Sequence, residues 1–484
     1  MTIPTSTSLS VRALLKSGLD RLAGATSAAA VDGLTASARA LFTAGTARRD
    51  AVSLLIVPTD AEVDVMTADT RFFFASLEGL SATEAARAVL SFPSLEVDPY
   101  RGLAPHFEVA SARAGTLCAL VRGDARIVVA SVAALLPRMS PPAVMRDASA
   151  VLLPGAETSP TFLGDRLLRA GFVRQDPVDL HGEFCVRGGV VDFFPAGEDH
   201  PVRLEFIGDA VESIRRYDAA TQRSVGAIDQ TAVTPVRERL DDDASSFPSL
   251  ASVFDYLPAS GGRLLTSEPD EVDGQLVTAS ERLAVAFEDA TARGESPPPL
   301  DRIAIDTDEV ARQIAGAVRL SGLDLDTVDA AGAVHVPCQP AVEFRGRVTD
   351  WMDDVRRARV SDELVLFVAT TSGTAQRTVE LLAEGGLPSA VAGSAEPPAR
   401  AAAVVAVGQL SRGFRLPEAG LQVYAEADVF DEPRRTHERR RPVAQAFLTD
   451  FRDLKVGDHV VHVDHGIGVF VGLRQLEVGD DAQE

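Results

Sequence analysis

The run AVSLLIVPT, residues 51 to 59, is apolar and β-branched and stops at Pro58, the pattern of a strand buried on both faces. The next stretch, DAEVDVMTADTRFFFASL, repeats apolar positions at helical spacing and opens on Asp60 as the N-cap. Upstream, residues 8 to 48 are rich in alanine and leucine with glycine breaks, which predicts two short helices. The alternation continues through LEVDPYRG, HFEVASARAGTLCALVRG and ARIVVASVAALL as strand, helix and strand. Strands alternating with helices predict a parallel sheet with right-handed crossovers.

After Pro141-Pro142 and a strand around Val151 the period changes to two, punctuated by glycine: GEFCVRGGVVDFFP, then PVRLEFIGDAVESIRRYD. Two hairpins are predicted. In the second, Gly208-Asp209 is the turn, Leu204 and Phe206 face a core, and Arg203 and Glu205 face water. The returning strand alternates less cleanly, since Val211 and Ile214 lie three apart. Residues 238 to 350 mix apolar and helix-like segments around the proline-rich ESPPPL. Over 359 to 430 the α/β texture returns as ELVLFVATT, a helix over TAQRTVELLAEGG, AVVAVGQL and LQVYAEADVF, a small separate domain by its size. Arg434, Arg435, Arg439, Arg440 and Arg441 then crowd a segment with almost no apolar residue, a solvated linker or a segment that docks phosphate or a partner. Beyond Asp450 a strand-like pattern with Gly466, Gly468 and Gly472 predicts the start of a small β-barrel.

Length agrees with several bodies, because 484 residues exceed one core at roughly 150 residues per domain. With 46% hydrophobic and 24% charged residues the chain is globular. A net charge of −23 argues against a surface that is all nucleic-acid clamp. Of the 47 basic residues only Lys16 and Lys455 are lysines, and neither follows glycine. A GxxxxGK[ST] phosphate loop is therefore missing from these residues. Cys118, Cys185 and Cys338 are odd in number and far apart, which fits a reducing cytoplasm better than a disulfide framework. No signal-peptide pattern or bilayer-length apolar run is present.

The passage FLTDFRDLKVGDHVVHVDHGIGVFVGL, residues 447 to 473, closely resembles the start of the polymerase-interacting module of bacterial transcription-repair coupling factors. GQLSRGFRLPEAGLQVYAEADVFDEPRR resembles the segment preceding that module. GFVRQDPVDLHGEFCVRGGVVDFFPAGEDHPVRLEFIGDAVESIRRYDAATQRS is similar to the small domain this family shares with UvrB and uses to hold UvrA. DPYRGLAPHFEVASARAGTLCALVRG resembles the flanking UvrB-like fold.

The resemblance implies a multidomain α/β protein, with a UvrB-like parallel-sheet domain over 1–150 and 238–350. An inserted hairpin-rich α+β UvrA-binding domain covers 151–237, and a small α/β domain 359–430. An Arg-rich linker over 431–450 leads to the start of a CarD/Tudor-like β-barrel at 451–484. It implies UvrA and the RNA polymerase β subunit as partners of a monomeric cytoplasmic protein, with DNA gripped mainly by a translocase motor beyond residue 484. ATP and Mg²⁺ belong to that motor, and no cofactor is expected in this segment. In the free family protein the motor region masks the UvrA-docking domain.

Arg187 stands between Val186 and Gly188-Gly189 at a hairpin tip, able to fork onto a partner's carboxylate or to be a plain turn arginine. The family motif aligns it with UvrA-contacting residues, and Arg174 and Arg203 are candidates on the same surface. Phe194 is an aromatic anchor or a core residue beside Phe193. For polymerase, Leu476 is the exposed apolar candidate with Val471 behind it, barrel core being the alternative for either. His459, His462 and His465 step by three, which alternates faces in a strand and makes a poor zinc site; Asp464-His465-Gly466 reads as a turn. The pairs Asp270-Glu271, Asp308-Glu309 and Asp431-Glu432 read as solvated, and no catalytic centre is found. Two other readings are a UvrB-type nucleotide-dependent helicase-like enzyme and a CarD-like transcription regulator.

Overall fold

The computed structural model describes residues 11–240, 250–258, 262–322, 333–392 and 402–430, and four short strands beyond them. The chain divides into two units, Met1–Phe430 and Asp431–Glu484.

In the first unit the described residues form a seven-stranded sheet, every neighbouring pair parallel. Its order is Ala333–His335, Ala30–Asp32, Val318–Leu320, Arg263–Ser267, Ser53–Val57, Ile127–Ser131 and Val89–Phe92. Ser53–Val57 and Ile127–Ser131 are buried at every position, as expected of strands covered on both faces. The helix after Ser53–Val57 runs Asp60–Glu78, but its N-cap is Thr59. Asp60 stands in the first turn and accepts from the Ser94 amide at 2.7 Å and its hydroxyl at 2.5 Å.

Two local expectations are corrected. LEVDPYRG is not a strand; the edge strand is Val89–Phe92, one segment earlier. Its Val89 and Phe92 are buried, whereas the charges of LEVDPYRG stand at the mouth of the sheet. Within the N-terminal stretch, Ala30–Asp32 is a strand between the helices Val11–Arg21 and Ala36–Thr46. Three residues are too few to carry a readable period.

The chain leaves this body through Ala150–Leu152 and returns through Thr231–Val233, which pair antiparallel as a two-stranded stalk. The inserted module carries a six-stranded sheet in the order Ser224–Ala227, Ala210–Tyr217, Val202–Ile207, Val190–Phe193, Glu183–Arg187 and Val173–Arg174. Both predicted hairpins are present, and Gly188 and Gly208 turn with positive φ. The irregular spacing of Val211 and Ile214 is a register shift between Val211 and Ser213, which returns both side chains to the buried face. Helix Pro160–Arg169, capped by Ser159, covers that face with Leu163 and Leu167. Gly164 lets it approach so closely that a Cβ there would lie 3.0 Å from Val186 Cγ2.

A third sheet of six strands runs Gln339–Pro340, Phe414–Leu416, Leu421–Ala425, Leu364–Ala369, Val404–Val407 and Ala390–Val391. It reaches upstream of residue 359 to Gln339–Pro340 and the helix Val348–Val360. Its inner face also joins Leu55, Val57 and Phe73 of the first sheet's layer in one apolar cluster with Leu366, Phe414 and Val423. Asp69 staples the layers: it accepts from Ser37 Oγ at 2.7 Å and from the Ser411 amide and hydroxyl at 2.7 and 2.6 Å. Burial pushes its carboxyl up in pKa against these hydrogen bonds.

The inserted module is seated by one buried ion pair. Arg113, on helix Phe107–Arg122, donates from Nε and Nη2 to the two carboxylate oxygens of Glu238 at 2.5 and 3.1 Å. Its Nη1 reaches the Pro93 carbonyl at 2.6 Å, and the guanidinium lies over the Phe92 ring. Replacing Arg113 by Ala should lower stability by about 3–5 kcal/mol, because Glu238 stays buried without its countercharge. Urea unfolding followed by circular dichroism checks this. The double variant Arg113→Met, Glu238→Leu should recover much of the loss.

Candidate protein-docking surface

The inserted sheet has two chemically different faces. Phe184, Phe193 and Val202 form one cross-strand row toward the core, and Val186, Val191, Leu204 and Ile214 the next. On the opposite face the row is Cys185, Asp192, Arg203 and Arg215. Alternation puts Arg187 on this second face too, since it lies two residues from Cys185.

Asp192 is the pivot of the polar face. Its side chain is only 3% exposed, and Arg203 grips it with two bonds of 2.7 Å, Nε to Oδ1 and Nη2 to Oδ2. Arg203 also donates to Gln222 Oε1 at 3.2 Å and lies over the Tyr217 ring. Hydrogen bonding to Asp192 holds its pKa above the usual arginine value. Beneath it the Tyr217 hydroxyl is buried with no hydrogen-bond partner among the described residues, and burial pushes its phenol pKa up.

Arg187 is more open, with its side chain 46% exposed. Nη2 lies 2.7 Å from Asp176 Oδ1 and 3.9 Å from Asp192 Oδ2, while Nε donates to Cys185 Sγ at 3.2 Å. The guanidinium is thus held in place yet faces water, the arrangement that lets a partner's carboxylate compete for it. Further along the sheet Glu205 pairs with Arg215, and Glu198 with Arg216.

The four sequence candidates divide. Arg187 and Arg203 meet through Asp192, but Arg203 is committed to that carboxylate and supports the face more than it presents itself. Arg174 is exposed on the edge strand, in register with Phe184, so it points to the side of the sheet opposite Arg187. Phe194 as an exposed anchor is corrected: it is 6% exposed and packs with Val178 and Cys185. The His181 ring stacks on it at 4.0 Å, covering the surface an anchor would need. Asp192 was missed because only the strand register sets it opposite Arg203, and Asp176 because it meets Arg187 from the segment between two strands, where no periodicity points to it.

In the second unit, His459–His462 pairs antiparallel with Gly466–Val469, and Leu476–Val478 with Asp481–Gln483. Leu476 opens the third of these strands. Val471, His465, Asp464, the arginine-rich segment and Asp431-Glu432 lie outside the described residues. Asp270-Glu271 and Asp308-Glu309 both fall in the first turns of helices, where acidic side chains favour the helix dipole.

Comparison with known proteins accords with this geometry. Residues 151–238 match the family model of the UvrB interaction domain, which coincides with the inserted module. Residues 454–484 match the CarD-like/TRCF RID domain. The chain is 24% identical to the transcription-repair-coupling factor of Bacillus subtilis over 92% of its own length and 42% of that protein's. For the Myxococcus xanthus protein of the same name the figures are 29%, 88% and 41%, and for that of Escherichia coli 24%, 96% and 43%. The chain thus spans about two fifths of the length of these relatives. Its resemblance to transcription-repair coupling factors is borne out along nearly all of its residues.

The two arginines of the polar face should respond differently to removal. Arg203→Ala should destabilise the protein by about 3 kcal/mol, since it strips a buried carboxylate. Arg187→Ala, at an exposed pair, should cost less than about 1 kcal/mol. Parallel thermal and urea melts of the two variants give the comparison.

Proposed function

We propose that this chain is the docking portion of a transcription-repair coupling factor. It works in the cytoplasm as a monomer that recruits UvrA through the 151–238 module and RNA polymerase, by its β subunit, through the module beginning near residue 454. Its own chemistry is recognition. ATP-driven translocation on DNA, with ATP and Mg²⁺ as cofactors, belongs to a motor outside these residues. The observation that carries the reading is the inserted module itself, a sheet on a two-stranded stalk with Arg187 half exposed beside Asp176.

A UvrB-type enzyme reading would need a nucleotide at the mouth of the parallel sheet. The turn after Ser53–Val57 argues against it, because Asp60 and Glu62 occupy the first turn of the following helix. Carboxylates there repel the phosphates that such a helix N-terminus otherwise attracts. A regulator that binds polymerase alone leaves the inserted module without a task. For polymerase contact we retain Leu476 and Val471 as candidates, and for UvrA Arg187 with the supporting Arg203, Arg174 being a separate candidate on the other side of the sheet.

The purified chain should retain UvrA in a pull-down, and Arg187→Ala should weaken that binding about tenfold or more, the loss of one interface hot spot. Failure to retain UvrA, or equal binding by the variant with an unchanged melting temperature, would count against the assignment. ATP hydrolysis by the isolated chain above background would restore the enzyme reading.

A further inference from the structure

A groove of about 1360 Å³ opens at the carboxyl ends of Ser53–Val57, Val89–Phe92 and Ile127–Ser131, the end of an open α/β sheet where ligands lodge. The far wall is the helix Pro269–Ala292 and the segment 237–239. Two features set this groove apart from the rest of an acidic protein.

The first is positive charge, part of it without a countercharge among the described residues. Arg138, Arg237, Arg239, Arg282 and Arg302 line the groove. Of the four acidic residues there, Asp60 is held by Ser94, Asp98 by Arg101 and Glu238 by Arg113. Only Glu96 meets no partner among the described residues. Arg138 is engaged loosely, 4.0 Å from Glu309 and 3.3 Å from the Asp301 carbonyl. Arg239, half-buried, and Arg282, exposed, meet neither a carboxylate nor a hydrogen-bond acceptor among the described residues. A half-buried guanidinium without a countercharge is costly unless an anion arrives.

The second is apolar lining. Leu95, Val97, Leu103, Leu136, Leu283 and Ile303 contribute to the walls, and Leu103 stands 64% exposed in a chain whose other leucines are mostly buried. Small-molecule sites occupy roughly 300–1,000 Å³, so the groove is large for a metabolite. A nucleic acid strand would want aromatic platforms for its bases, and no aromatic side chain lines the groove. The chain's net charge of −23 also opposes a polyphosphate backbone.

We propose that this groove is a second docking site, separate from the polar face of the inserted sheet, for an acidic peptide segment of a partner protein that also carries apolar side chains. Carboxylates of the segment fork onto Arg239 and Arg282, and its apolar side chains cover Leu103 and Leu283. The arginines select charge and the apolar wall selects against acidic segments without bulky side chains.

The test is fluorescence anisotropy of the whole chain with a fluorescein-labelled peptide of alternating Glu-Leu pairs. Control probes are the same peptide with Gln for Glu, the same peptide with Gly for Leu, and a single-stranded oligonucleotide of equal length. The Glu-Leu peptide should bind with an affinity that falls as salt rises, and both peptide controls should bind at least about tenfold more weakly. Arg239→Glu combined with Arg282→Glu should abolish binding. Arg282→Glu alone, at an exposed position that leaves the melting temperature unchanged, should weaken it several-fold. No binding of the Glu-Leu peptide, undiminished binding by Arg282→Glu and the double variant, or tighter binding of the oligonucleotide at the same site would overturn the proposal.

Discussion

Arg113 and Glu238 form the contact on which the architecture turns. A charge pair so deep would ordinarily cost more in desolvation than it returns. Here the guanidinium is also bonded to the Pro93 carbonyl and stacked on Phe92, so its donors are occupied in several directions. Glu238 lies at the residue where the inserted module rejoins the parallel body, and its backbone carbonyl accepts from the Ser140 amide at 3.0 Å. Ser140 Oγ in turn accepts from Leu240, and the Ser140 carbonyl accepts from Tyr256 Oη at 2.5 Å. One pair therefore fixes where the chain re-enters after the insertion, and with it the position of the docking sheet.

Apolar packing completes what that pair begins. A single cluster runs from Leu54, Ile56 and Val128 of the parallel sheet to Leu163, Phe184, Val191 and Leu204 of the inserted module. The module and the parallel body thus share one apolar core. On the other side of the parallel sheet, the cluster that includes Phe73 and Phe414 joins it to the third sheet, with Asp69 satisfying donors that the close approach would otherwise strand. Arginine suits this construction better than lysine, since its planar fork satisfies a buried carboxylate with two bonds, as Arg113 and Arg203 each do.

The polar face of the inserted sheet shows how docking and folding share one network. Arg203 saturates Asp192 and so frees Arg187 to lean toward solvent while still tethered to Asp176. A side chain held in that way loses little conformational entropy on meeting a partner. The groove at the mouth of the parallel sheet has a different logic, with Arg239 and Arg282, which meet no countercharge among the described residues, beside apolar walls.

Local pattern alone determined much of this protein. Buried strands such as Ser53–Val57, the hairpins around Gly188 and Gly208, the missing lysine loop and the position of Arg187 at a turn are all properties of consecutive residues. What the tertiary structure decided depends on residues far apart in the chain. Strand Ala30–Asp32 exists because Val318–Leu320 and Ala333–His335 pair with it, not because three residues prefer extension. Phe194 is covered because a loop folds His181 over it, and Arg203 is committed because strand register sets Asp192 directly opposite. Short-range periodicity reports which face a side chain leaves by; only the packed fold decides what waits on that face.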